Sequence, residues 1–118
     1  MNNQTKERLY KEMTTHPYWT EYQDWLADNN HVVRELVHWA REAKASGRDK
    51  YSLRILLERA RWELEIIRGE EVFKINNNAH PLLARTVLIL APDLGIDFFS
   101  LRKPKARINA TPEQALSA

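Results

Sequence analysis

Residues 52–68, SLRILLERARWELEIIR, decide the fold class. Ser52 is placed as an N-cap, because its hydroxyl can accept from a backbone N–H in the first turn that follows. Behind it, Leu53, Leu56, Leu57, Ala60, Leu64 and Ile67 recur at the three- and four-residue intervals that line one side of an α-helix. Ile55, Trp62 and Ile66 line another side, and two apolar faces predict a central helix covered by neighbours on both. Arg59 and Glu63 divide the faces at i,i+4 spacing. Arg54, Glu58, Arg61, Glu65 and Arg68 share the remaining edge with alternating sign, the pattern of an exposed salt-bridged edge rather than a catalytic charge array.

Towards the N-terminus, Asn30 is placed to cap a helix over residues 31–46. Its Val32, Val33, Leu36, Val37, Trp39, Ala40 and Ala43 form a broad apolar face opposite Arg34, His38, Arg41 and Glu42, and Gly47 is its stop. Pro17 suits the first turn of a preceding helix, which gathers Tyr18, Trp19, Tyr22, Trp25 and Leu26 into one aromatic face and docks through those rings. A first helix over residues 4–14 has only Leu9, Tyr10 and Met13 to bury, so it needs packing from elsewhere to persist. Towards the C-terminus, Gly69 ends the 53–68 helix, and VFKINNN (72–78) reads as an extended connection, a brief strand at most, with an asparagine turn. A fifth helix starts near Asn78, with His80 and Pro81 in its first turn, and runs through Leu82, Leu83, Val87, Leu88, Ile89 and Leu90 to Pro92. DLGIDFFSLR (93–102) predicts a turn and then Phe98, Phe99 and Leu101 packing back onto the body. The expected fold is all-α: a compact single domain of about five helices over residues 1–101, with residues 102–118 a flexible basic tail.

With 118 residues, 43% hydrophobic and 29% charged, the chain has the size and balance of one soluble domain. The absence of cysteine removes disulfides, thiolate metal sites and cysteine nucleophiles. The polar first thirty residues do not resemble a signal peptide, and no apolar run nears the roughly 18 residues that span a bilayer, which predicts a cytoplasmic protein with no membrane partner. The net charge of +2 is unevenly spread: residues 102–118 carry +3, residues 31–61 carry +4, and the flanking stretches 1–30 and 62–101 carry −2 and −3. Such polarity can steer an anionic partner.

A set of short motifs runs through the same region: KYS (50–52) opening a helix, ERARWE (58–63) inside it, then FKINNN (73–78), PLLAR (81–85) and FFSLR (98–102). The set resembles a family of short, mostly uncharacterised bacterial and phage-associated proteins that carry RWE, FK-hydrophobic-NNN, AR and FF-x-x-R in this order. It covers roughly residues 28–102. The resemblance implies a common helical fold and a phage or mobile-element origin, and it brings no mechanism with it.

Catalytic constellations are not visible. His16, His31, His38 and His80 lie far apart with no pairing at metal-ligand spacing, and His16 and His80 precede prolines at helix starts, where a turn role suffices. Glu70 with Glu71, and Asp93 with Asp97, sit at chain breaks that favour acids anyway. No serine lies in a GxSxG elbow, and isolated Gly47, Gly69 and Gly95 build no phosphate loop. The expectation is a protein that is not an enzyme and uses no metal or cofactor.

Two binding readings remain. In the first, Arg41, Lys44, Arg48, Lys50 and Arg54 around the 46–51 turn, with Arg102, Lys103, Lys105 and Arg107 in the tail, contact a nucleic-acid backbone, and Asn76, Asn77 and Asn78 add polar contacts. The same residues have structural explanations: cations complement a helix C-terminus, and asparagines make turns and caps. A helix-turn-helix over residues 53–91 offers only His80, Arg85 and Thr86 to a groove, which is thin for recognition. In the second reading the chain is a protein-interaction module, an adaptor or an inhibitor of a host protein, or a homodimer, using Tyr18, Trp19, Tyr22 and Trp25.

Overall fold

A computed structural model describes residues 2–101. The described chain is all-helical and forms one compact domain: α1 (Asn3–Thr14), α2 (Trp19–Asp28), α3 (Asn30–Ala45), α4 (Leu53–Arg61) and α5 (His80–Leu90). α4 runs on without a break into a π-helical segment, Trp62–Ile67, and short 3-10 turns occupy Asn77–Ala79 and Pro92–Leu94. The segment from 70 to 76 is an extended connection with no strand. Residues 102–118, read above as a tail, lie outside the described residues.

Most helix ends follow from local residue chemistry. Asn2 opens α1 by accepting from the Thr5 N–H at 2.8 Å, and Ser52 opens α4 by accepting from the Ile55 N–H at 3.3 Å. Gly47 at φ +104° closes α3, and the Arg48 N–H turns back to the Ala43 carbonyl at 3.1 Å. Asn30 does not cap α3, which begins one residue earlier. The Asn29 carbonyl takes the Val32 and Val33 N–H groups, while the Asn29 side chain donates back to the Trp25 carbonyl at 2.8 Å. One asparagine therefore closes α2 and opens α3, and the two helices meet with no loop between them.

The central helix is α5 and not α4. Leu82, Leu83, Ala84, Val87 and Leu88 of α5 are buried, with α1 and α3 packed against the helix, and this contact supplies the support that the sparse apolar face of α1 requires. Tyr22 of α2 is fully buried, and its ring stacks on Trp25 with centroids 6.0 Å apart. The Thr86 hydroxyl has a single proton, which goes to the Leu82 carbonyl at 2.9 Å, so the Tyr22 hydroxyl must be the donor in its bond to Thr86. Burial pushes the Tyr22 phenol up to about 12, which keeps that donor protonated across the ordinary pH range. Tyr22→Phe should lower stability by about 1–2 kcal/mol in urea titrations, because Thr86 keeps its bond to Leu82 and loses only an incoming donor.

The C-terminal turn returns to the body as its apolar residues require. Phe98 and Phe99 are buried edge to face with centroids 5.0 Å apart, and the Phe98 carbonyl accepts from the Tyr51 N–H at 2.9 Å, fixing the turn against the entry to α4.

Candidate interaction surface

The five cations around the 46–51 turn do not form one free cluster. The Arg41 guanidinium grips Asp93 with two bonds, Nε to Oδ2 at 3.1 Å and Nη2 to Oδ1 at 2.9 Å, and this contact holds the Asp93 carboxyl below the usual range. Lys44 donates to the Leu94 carbonyl at 3.0 Å. Both tie the end of α3 to the 3-10 turn after α5. Arg54 lies 3.7 Å from Glu58 in an exposed pair, while Arg48 and Lys50 are exposed and make no ion pair among the described residues. Arg102, Lys103, Lys105 and Arg107 lie outside the described residues.

The asparagine triplet builds the entry to α5. The Asn76 carboxamide oxygen accepts from the Asn78 N–H at 2.8 Å and the Asn76 carbonyl accepts from the Ala79 N–H at 2.9 Å, an Asx turn that starts the 3-10 segment. Arg85 and Thr86, offered above as groove-reading side chains, are both 8% exposed. Arg85 spends its donors on Glu12 at 2.7 Å and on the Pro81 carbonyl at 2.9 Å, so α5 has almost nothing to present to a base edge.

The aromatic helix also faces inward. Tyr22 has no exposed surface, Tyr18, Trp19 and Trp25 are half-buried against the core, and the Trp25 indole N–H donates to the Lys74 carbonyl. These rings dock α2 onto the body, as the sequence indicated, and leave no broad aromatic face for a partner.

The exposed apolar surface lies on α4, where burial was expected. Ile55, Trp62, Ile66 and Ile67 are between 51% and 62% exposed, and Val72 in the following connection is 65% exposed. The geometry of the π segment accounts for part of this. A π turn holds more residues than an α turn, so side chains after Trp62 advance through a smaller angle per residue and leave the α-helical register. Leu64 keeps its place in the core, but Ile67, which α-helical spacing puts beside it, turns out into solvent. Gly69 at φ +66° then ends the helix, with the Glu70 N–H bonded to the Leu64 carbonyl at 2.8 Å. Charged side chains border the stripe: Arg59 reaches Glu42 at 3.3 Å and covers the Trp39 ring, and Arg68 reaches Glu35 at 2.6 Å. Elsewhere, Tyr10 and Leu90 flank a shallow apolar groove of about 390 Å³.

Among the described residues no group of three or more metal-ligating side chains comes together, and no helix is long and apolar enough to cross a membrane. His16 fills the turn role expected of it: its Nδ1 accepts from the Tyr18 N–H at 3.0 Å. His80 is placed differently. Partial burial and the nearby Arg61 and Arg54 guanidinium groups push its imidazole below the usual histidine range. In the unfolded chain the same side chain titrates near about pH 6.5, so the unfolded state binds the proton first as pH falls. Stability is therefore undisturbed by this group above about pH 6.5 and declines below it. Urea midpoints at about pH 7.5 and about pH 5 should show that decline, and His80→Gln should show less of it.

No family model, curated protein or solved structure matches this chain.

Proposed function

We propose that this chain is a non-catalytic protein-interaction module whose contact surface is the outer face of α4 and its π-helical extension. The observation that carries the reading is the exposure of Ile55, Trp62, Ile66 and Ile67 along one helix, with Trp62 at 58%. Large apolar side chains in a row on a small domain are costly to leave in water, and a tryptophan at the centre of such a row has the chemistry of an interface anchor. The bordering Arg54, Glu58, Arg59 and Glu63 supply the charged rim that surrounds such anchors and excludes partners of the wrong charge pattern.

The test is capture of partners by the full-length chain and by Ile66→Asp in parallel, with sedimentation of both across a concentration series. A protein retained by the wild type and lost by Ile66→Asp, or a dimer that Ile66→Asp dissolves, supports the reading. Equal behaviour of the two chains in both experiments sinks it.

A second reading, contact with a nucleic-acid backbone, is supported by the exposure of Arg48 and Lys50 near the start of α4. Because Arg41 and Lys44 are engaged with the 92–94 turn, this reading leans on Arg102, Lys103, Lys105 and Arg107 for the rest of its charge. Each phosphate contact adds about 0.9 to the slope of log affinity against log salt, so Arg48→Ala with Lys50→Ala should flatten that slope by about two.

A further inference from the structure

A groove of about 660 Å³ opens between the start of α4 and the start of α5. Lys50, Ser52 and Arg54 are among the polar residues that line it on one side and Asn77, His80 and Arg85 on the other, and no carboxylate lines it among the described residues. Leu53, Pro81 and Phe99 give it an apolar floor. The volume falls within the roughly 300–1,000 Å³ typical of small-molecule sites.

The hydrogen-bonding capacity around the groove is only partly used. Arg85 is fixed by Glu12 and the Pro81 carbonyl, but Lys50 makes no ion pair among the described residues. The Arg54 to Glu58 contact is a 3.7 Å pair between two mostly exposed side chains, which gives way easily to a better acceptor. His80 lines the groove with its ring, while its Nε2 is closed off from solvent and has no hydrogen-bond partner. The first bonds of α4 run from the Ile55 and Leu56 N–H groups back to Ser52, so the Leu53 and Arg54 N–H groups precede the intrahelical ladder.

We propose that this groove binds a phosphate monoester carried on a small apolar or aromatic body, of which a mononucleotide is an example. A monoester presents close to two negative charges and three acceptor oxygens at one point, which suits a cavity lined by an ammonium, a guanidinium and the free N–H groups at the start of α4 better than the single charge of a carboxylate. Leu53, Pro81 and Phe99 receive the body of the ligand. The site does not depend on the outer face of α4 being an interface.

The experiment is a nitrogen-15 NMR titration of the full-length protein with inorganic phosphate, adenosine monophosphate and adenosine, one at a time. The expected result is saturable shifts at Ser52, Leu53, Arg54, Asn77 and the His80 imidazole with both phosphates, tighter for the nucleotide, and none with adenosine. Lys50→Ala with Arg54→Ala should weaken nucleotide binding by on the order of tenfold or more, and their exposed side chains can be removed without disturbing the core. Trp62→Ala should bind as the wild type does, so failure of the interface reading leaves this result unaffected. Short oligonucleotides with and without a 5′-phosphate tell a strand end from a free mononucleotide, and in either case binding must require the monoester. Shifts of equal size with adenosine, shifts scattered over lysines and arginines outside the groove, or no shift with any phosphate would overturn the proposal.

Discussion

Phe98→Ala should destabilise the domain by about 3–5 kcal/mol, the range for removing a buried phenylalanine. Domains of this size have roughly 5–15 kcal/mol in total, so the variant should unfold at a much lower urea concentration and melt roughly 10–30 °C lower. The position is 1% exposed, and its ring meets Phe99 edge to face, so a cavity left there has rigid walls. The loss also reaches beyond one side chain, because the Phe98 carbonyl holds the Tyr51 N–H and therefore the approach to α4. Hydrogen exchange at Tyr51 should quicken in Phe98→Leu even where that milder variant remains folded. A cost under about 1 kcal/mol for Phe98→Ala would mean that the 93–101 turn is not part of the cooperative core.

Trp62→Ala should behave in the opposite way. Partner affinity should fall by about 2–4 kcal/mol, roughly 30- to 1,000-fold, as for a central interface tryptophan. Stability should move by no more than about 0.5 kcal/mol, because the side chain is 58% exposed and lies outside the buried core. The contrast between the two variants is the informative part: Phe98→Ala should register in stability, and Trp62→Ala in partner affinity with stability left alone. If Trp62→Ala unfolds the protein as Phe98→Ala does, the outer face of α4 is structural after all.

Most of the fold was legible because it is written in local chemistry. Ser52 and Gly47 act at the helix ends their residue types predict, Asn76 makes the asparagine turn, and Phe98 and Phe99 return to the core. Three things were not legible, for two reasons. Arg41 and Lys44 looked like free cations because their partners, Asp93 and the Leu94 carbonyl, lie about fifty residues away, and nothing in local spacing reveals such a contact. The second face of α4 was visible as Ile55, Trp62 and Ile66, but periodicity marks a residue as apolar without saying whether anything covers it. Covering two faces requires neighbours on both sides, and the helix that has them is α5. The groove beside His80 was hidden for the first reason again, since it is formed by the starts of two helices separated in sequence by the whole of α4 and the extended connection.

The π segment also makes the outer face of α4 sensitive to chain length. In a regular helix, substituting Ile67 changes what is exposed and leaves its direction alone. Here the direction itself depends on how many residues are wound between Ala60 and Gly69, because the wide turn sets the angle at which Ile66 and Ile67 leave the axis. Deleting one residue from that stretch would act as a rotation, carrying an isoleucine towards Leu64 and withdrawing it from the surface with the remaining composition intact. Chains that differ there by a single residue would therefore present different faces to a partner, even with every apolar residue retained.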